Sequence, residues 1–296
     1  MRHRVHFLLL LLLAGTSPLA VVKGATTFES VAWTPQDLQT GSACLFSIQL
    51  QGSPAKVSAK WMGHDVSFFQ GRDAHVWYGL AGVDLDASPG IYPLDVMATM
   101  PDGEVVHLAR DVRVSPSNYK TVSLRVPDRF VKPDAAALRQ IEFDQQAKKI
   151  AFSHETSVPE WSGDFLAPVT SAVSDSFGTR RVFNGHLVSV HRGLDFRAKP
   201  GSPVLAANSG EVVLAREMFY EGNCVIIDHG EQLMTVYMHL SRLEVAAGQK
   251  VTKGEVIGLS GATGRATGPH LHLGVRWEGE YLDPESLLSL TLNNLP

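Results

Sequence analysis

The 296-residue sequence predicts a mainly β protein in which two β-rich domains are joined by a linker carrying one helix. Three observations point there. The length exceeds the usual single-domain size and favours two domains. Short apolar stretches alternate with turn signals over two separate spans, and 26 Gly with 16 Pro favour many turns over long helices. Between the spans lies one stretch of different texture, bracketed by Pro127 and Pro133 and followed by helix-forming residues.

The chain opens with Arg2 and Arg4, then an apolar run over residues 7–14 with six consecutive Leu, then small and turn-forming residues. This reads as a secretory signal over residues 1–25, with cleavage after Ala20 or Ala25. The run is shorter than the roughly 20 residues a bilayer span needs, so no stable transmembrane span is expected after cleavage. No Cys follows the run, which argues against lipoprotein processing there.

Residues 26–115 have the pattern of an immunoglobulin-like β-sandwich. Strand candidates are 43–50, 66–69, 76–80 and 91–98, and Pro101-Asp102-Gly103 is a turn signal able to join two antiparallel strands. Residues 116–160 read as a linker with a helix over 134–150. Asp134 is a fitting N-cap after Pro133, and the helix has only a partial apolar stripe, free to pack on either domain. Residues 161–296 return to β texture richer in Gly, with strand candidates 203–207, 210–214, 223–228, 233–238, 255–259 and 270–277. This domain is expected to be compact and mostly antiparallel.

The formal net charge of -4 and the absence of any Lys/Arg block argue against nucleic acid as a partner. The two cysteines, Cys44 and Cys224, fall in different predicted domains and read as independent small buried residues.

The chemistry concentrates in the last domain. In an extended segment alternate side chains face opposite sides. His191, Gly193 and Asp195 of His191-Arg192-Gly193-Leu194-Asp195 would then share one face, with Leu194 and Phe196 entering the core. In His270-Leu271-His272-Leu273 both His project together while the leucines face the opposite layer. Two such imidazoles allow one to bind a metal and the other to serve as a base, and His239 arrives at the end of another strand. Neutral nitrogen with anionic oxygen ligands suits a borderline-soft divalent cation. Either spacing alone is a weak signal; both, with His239, in one Gly-rich β domain are a strong one. His3, His6, His64, His75, His107, His154 and His186 stand isolated and read as surface or hydrogen-bonded residues. His229, in Asp228-His229-Gly230, reads as the cap of a turn.

Residues 165–288 resemble the lysostaphin-type (M23, or LytM-like) zinc endopeptidases of peptidoglycan. The matching segments run in order: Ser176-Phe177-Gly178-Thr179-Arg180, His191-Arg192-Gly193-Leu194-Asp195, Gly201-Ser202-Pro203-Val204, Asp228-His229-Gly230 and Tyr237-Met238-His239-Leu240. They continue through Gly254-Glu255-Val256-Ile257-Gly258 to Thr267-Gly268-Pro269-His270-Leu271-His272. The resemblance covers somewhat under half of the chain and leaves out the sandwich, although a sandwich-plus-linker arrangement is similar to that of some envelope members.

The resemblance implies one zinc per chain, held by His191, Asp195 and His272, with His239 and His270 as unliganded catalytic histidines. It implies hydrolysis of peptide bonds in peptidoglycan stems or cross-links by zinc-activated water, with His as general base. The division of labour between His239 and His270 stays open. It further implies an exported protein of the periplasm or cell envelope, with secretion as the alternative. A non-catalytic activator of cell-wall amidases is the competing function, because some relatives keep the fold and lose ligands; every ligand position is intact here. Arg180 and Arg181 fit either a substrate carboxylate or a structural salt bridge. Asn184 is placed to line the groove, and the Tyr that some members carry shortly before the first ligand has no counterpart in residues 185–190.

Overall fold

A computed structural model of the chain describes residues 27–185 and 187–292; the expected signal segment lies outside the described residues. The N-terminal part is a single eight-stranded array folded into two layers. Its strands lie in the order Thr27–Thr34, Ala43–Gln51, Val76–Gly82, His64–Gln70, Lys56–Trp61, Gly90–Thr99, Val105–Ser115 and Leu38–Gln39. Sequence neighbours are therefore split between layers, the Greek-key arrangement of an immunoglobulin-like sandwich. Ala43–Gln51 shows the cause, since Phe46, Ile48 and Leu50 are buried while Gln49 and Gln51 are exposed. Across the layers Phe46 meets Trp61 edge to face at 5.2 Å, and the indole N–H of Trp61 donates to the Gly82 carbonyl at 2.8 Å. The turn at Pro101-Asp102-Gly103 joins Gly90–Thr99 to Val105–Ser115 as antiparallel partners.

The C-terminal part is built on an antiparallel sheet ordered Val173–Asp175, Leu194–Phe196, Leu271–Trp277, Leu233–Leu240, Gly222–Asp228, Gly210–Met218 and Lys250–Val251. Leu194, Phe196, Leu271, Leu273, Val275 and Tyr237 from one face enter the main core. The other face is shared between a helix and the candidate site. The helix runs Ala135–Phe152, and the Asp134 carboxylate accepts from the backbone N–H groups of Ala136 and Ala137, as an N-cap should. It packs on Gly210–Met218 through Ala147, Ala151 and Phe152 against Leu214 and Met218. Asp144, which is buried, fastens it by accepting from the Phe219 N–H at 2.7 Å, and Lys148 pairs with Glu221.

The linker contributes more than a helix. Thr121–Leu124 pairs in parallel with Arg180–Phe183, which in turn pairs with Leu187–Val190, forming a three-stranded flap. The two β parts are also in direct contact, because Asp283 N–H donates to the Gly41 carbonyl at 2.7 Å and Ala43 N–H donates to Ser286 Oγ at 2.7 Å. Gly82 lies so close to Leu282 that a Cβ would meet Cδ2 of that leucine at 2.4 Å. Cys44 and Cys224 are buried and free, as expected.

His229 is a correction to the sequence reading. It is wholly buried rather than a simple turn cap. Its Nδ1–H donates to the Ser209 carbonyl at 2.7 Å, leaving Nε2 to accept from the Thr235 hydroxyl at 2.7 Å, and that hydroxyl lies 3.0 Å from the Tyr237 Oη. Burial lowers its pKa from 6.5 to about 4, a shift that the Ser209 carbonyl opposes. The fold thus favours neutral His229. That contribution is complete above about pH 6.5, shrinks as the unfolded chain takes up a proton, and is lost as the pH falls through about 4. Thermal melts of wild type and His229→Gln should show a shallower acid decline in the variant over this window; identical slopes would contradict the assignment.

Candidate metal centre

Register carries the site. Asp175 pairs with Asp195, Asp195 with His272, and His272 with Met238, so these four side chains form one row across four strands. His191 joins the row from just outside the strand. The sequence reading made residues 191–196 one extended segment; instead the chain bends at Gly193 and the strand begins at Leu194. A Cβ on Gly193 would stand 2.4 Å from His272 Nε2 and 2.5 Å from the Leu273 carbonyl oxygen. Glycine here makes room for the His272 ring.

Three acceptor atoms converge. His191 Nε2 lies 3.0 Å from Asp195 Oδ1 and 3.0 Å from His272 Nδ1, and His272 Nδ1 lies 2.8 Å from Asp195 Oδ1. All three residues are buried, and they form a His/Asp group whose ligand atoms could share one ion. The donor chemistry fits such an ion. His191 Nδ1 faces the Ser176 carbonyl at 2.9 Å, and a carbonyl only accepts, so Nδ1 carries a proton and Nε2 is the ring nitrogen turned inward. Burial pushes the Asp195 carboxyl up, but its contacts with His191 and His272 outweigh this and hold it well below the usual carboxylate range. Burial likewise lowers His272, against the opposing pull of Asp195. An anionic oxygen and two imidazole nitrogens match a zinc-type donor set.

The other two predicted histidines stand beside this triangle. His270 immediately precedes strand Leu271–Trp277, where it bridges to Gly261, and its Nε2 lies 3.9 Å from Asp195 Oδ1. His239 has its ring 4.6 Å from that of His270 and 6.1 Å from that of His272. Each has Nδ1 fixed on a backbone carbonyl, His270 on Gly268 at 2.8 Å and His239 on Thr263 at 2.9 Å. Both therefore carry the proton on Nδ1 and offer Nε2 as a proton acceptor. Burial, reinforced by His270 and His272, lowers His239 to about 3.

Arg181 is the contact that sequence reasoning left undecided. It is a salt-bridge residue: its Nη2 lies 2.5 Å from Asp195 Oδ2 and 2.6 Å from Asp175 Oδ2. It thereby occupies the Asp195 oxygen that faces away from the histidines and fixes the carboxylate's rotation. Arg181→Met is expected to weaken metal binding by about 10- to 100-fold without unfolding the chain, measured by competition with a chromophoric chelator. Arg180 is exposed. Asn184, read as a groove residue, instead ties the flap to the linker, since Val126 N–H donates to its Oδ1 at 3.0 Å and its Nδ2 donates to the Val126 carbonyl at 2.9 Å.

The five histidine and aspartate residues line a cleft of about 590 Å³. One wall is the flap, with Val122 and Leu124 from the linker strand, and another carries Tyr220 and Arg265. The lining includes no residue of the N-terminal sandwich. Residues 185–190 hold no tyrosine, but Tyr220 and Tyr281 both border the cleft. Nothing local in the sequence marks either one.

An antiparallel β domain with two His and one carboxylate converging at the floor of an open cleft belongs to the class of candidate zinc-centre proteins. Comparison narrows the class, because residues 189–284 match the model of Peptidase family M23. Peptidoglycan DD-endopeptidase ShyA of Vibrio cholerae is 48% identical over 101 residues, 34% of this chain and 24% of ShyA. DD-carboxypeptidase/endopeptidase Mpg of Neisseria meningitidis serogroup B is 40% identical over 119 residues, 40% of this chain and 27% of Mpg. The matches thus span about a quarter of these relatives. A crystal structure of a candidate M23 peptidase from Pseudomonas aeruginosa superposes with a TM-score of 0.64 at 26% identity, covering 84% of this chain and 94% of that one. That likeness extends beyond the cleft domain.

Proposed function

We propose that this chain is an exported zinc endopeptidase that hydrolyses peptide bonds in peptidoglycan stems or cross-links. The observation that carries the reading is the convergence of His191 Nε2, Asp195 Oδ1 and His272 Nδ1 in a cleft flanked by His239 and His270. The M23 match and the names of ShyA and Mpg support the reaction and the substrate class.

In this reading those three atoms hold one zinc. The ion supplies Lewis acidity and makes water reactive near neutral pH. The remaining steps belong to the chain's own groups. His270, with Nδ1–H anchored on Gly268, takes a proton from the attacking water at Nε2 and passes it to the leaving amine. His239, kept neutral by burial and anchored on Thr263, accepts a hydrogen bond at Nε2 and orients that water. Arg181 positions Asp195, and the flap excludes solvent from one side of the cleft.

The rest of the chain is assigned around that site: a signal segment over 1–25, a sandwich over 26–115, a linker over 116–160 and the peptidase domain over 161–296. The linker strand Thr121–Leu124 serves the cleft wall. Among the described residues no helix is long and apolar enough to cross a membrane. The basic start and apolar run of the leader, with wall-hydrolase relatives, support a periplasmic or envelope location.

Purified, zinc-loaded protein incubated with cell-wall sacculi should release peptides bearing new amine and carboxyl termini, identified by mass, and a chelator should abolish the release. Metal-replete protein that releases nothing from several wall chemistries would refute the reading.

A further inference from the structure

Arg265 lies on the loop leading to His270 and borders the same cleft. Its backbone N–H donates to the Tyr220 carbonyl at 2.8 Å, which fixes the loop against the wall. The guanidinium carbon stands 4.5 Å from the centre of the Tyr220 ring and 4.8 Å from that of Phe183. Two aromatic rings thus hold one cation beside the candidate metal centre, and both rings also border the cleft.

Among the described residues this side chain has no ion-pair partner; Glu221 acts on its charge from a distance but is itself bonded to Lys148. Arg265 is half-buried, and among the described residues its side chain makes no ion pair or hydrogen bond. The acids of the cleft are engaged by other cations. Asp175 and Asp195 are taken by Arg181, Lys120 also reaches Asp175 at 3.2 Å, and Glu221 is taken by Lys148. Of the other cleft arginines, Arg192 pairs with Asp86 at 3.2 Å and Arg197 is exposed. Burial lowers the Arg265 pKa. A partly desolvated guanidinium costs free energy unless something meets its donors, and its planar fork matches a carboxylate with two parallel hydrogen bonds.

We propose that Arg265 is the receptor for a free carboxylate of the peptide substrate, a role that rests on the endopeptidase reading for the identity of the ligand as a peptide. In a peptide the anionic group available to such a receptor is a chain-terminal or side-chain carboxylate. The aromatic clamp removes rotamer freedom in advance, so the ion pair forms at little ordering cost. The consequence is a specificity rule: peptides with a carboxylate near the scissile bond bind and react better than their amidated twins.

The test uses a pair of synthetic cross-linked stem peptides that differ only in a free carboxylate or a carboxamide at that position. Binding is measured by calorimetry to the zinc-loaded full chain carrying His270→Ala, so that turnover does not interfere. The carboxylate peptide should bind about 10- to 100-fold more tightly than the carboxamide, the range of a charge-assisted hydrogen-bonded pair. Adding Arg265→Gln should collapse the ratio to about 3-fold or less, while Arg265→Lys retains part of it. Equal binding of the two peptides before Arg265 is changed would overturn the proposal. So would an unchanged ratio in Arg265→Gln, or an equal loss for both peptides in a variant that still melts normally, which would leave Arg265 a wall support only. Discrimination together with intact sacculi would sink the endopeptidase reading and spare the carboxylate site; digestion without discrimination would do the reverse.

Discussion

Replacing His272 by Ala is expected to cost the protein both its metal and its activity. The side chain offers one of three converging ligand atoms, and the remaining pair, His191 Nε2 and Asp195 Oδ1, would hold zinc through two protein ligands where catalytic sites use three. Loss of a direct ligand should exceed the roughly 10- to 100-fold penalty that removing an outer hydrogen-bond partner carries. Metal analysis after dialysis should therefore find the variant largely free of zinc, and peptide release should fall by about 1,000-fold or more. The protein should stay folded, because Leu271 and Leu273 on the opposite face keep their places in the core. A variant that retains stoichiometric zinc would remove His272 from the ligand set.

His270→Ala should separate the two halves of the site. Its Nε2 stands 3.9 Å from Asp195 Oδ1, beyond hydrogen-bond reach of the triangle, and its other ring nitrogen is tied to the Gly268 carbonyl. Zinc content should remain at one per chain. Turnover should fall by about 100- to 10,000-fold, the usual worth of a positioned proton carrier, with little change in substrate affinity. Full turnover in this variant, measured on the same sacculi, would transfer the proton-carrying role elsewhere, with His239 the neighbouring candidate at a 4.6 Å ring separation.

The contrast between these neighbouring histidines was partly legible in the sequence. Alternation along His270-Leu271-His272-Leu273 places both rings opposite the two leucines, and the spacing of His191 from Asp195 suggests a shared face. The resemblance to the lysostaphin-type family implies which histidine ligates. The sandwich, the helix behind Asp134 and the Gly-rich β domain were also readable, because each depends on local alternation, capping and turn chemistry. What escaped reading depends on partners far apart in the chain. Arg181 is a salt-bridge residue only because Asp175 and Asp195 arrive beside it from two other strands. Thr121–Leu124 becomes a cleft wall only by parallel pairing with a strand more than fifty residues later. The helix docks on the C-terminal sheet through Asp144, whose partner is a backbone N–H at Phe219, and no periodicity announces that contact. The glycine at 193 is required by the ring of His272, 79 positions downstream.

The most direct measurement is a zinc-edge anomalous difference map of the metal-loaded protein. A single peak is predicted within about 2.0–2.2 Å of His191 Nε2, Asp195 Oδ1 and His272 Nδ1, with His239 and His270 outside bonding distance. A peak bonded to His239 or His270, or no peak among these residues at saturating zinc, would contradict the account.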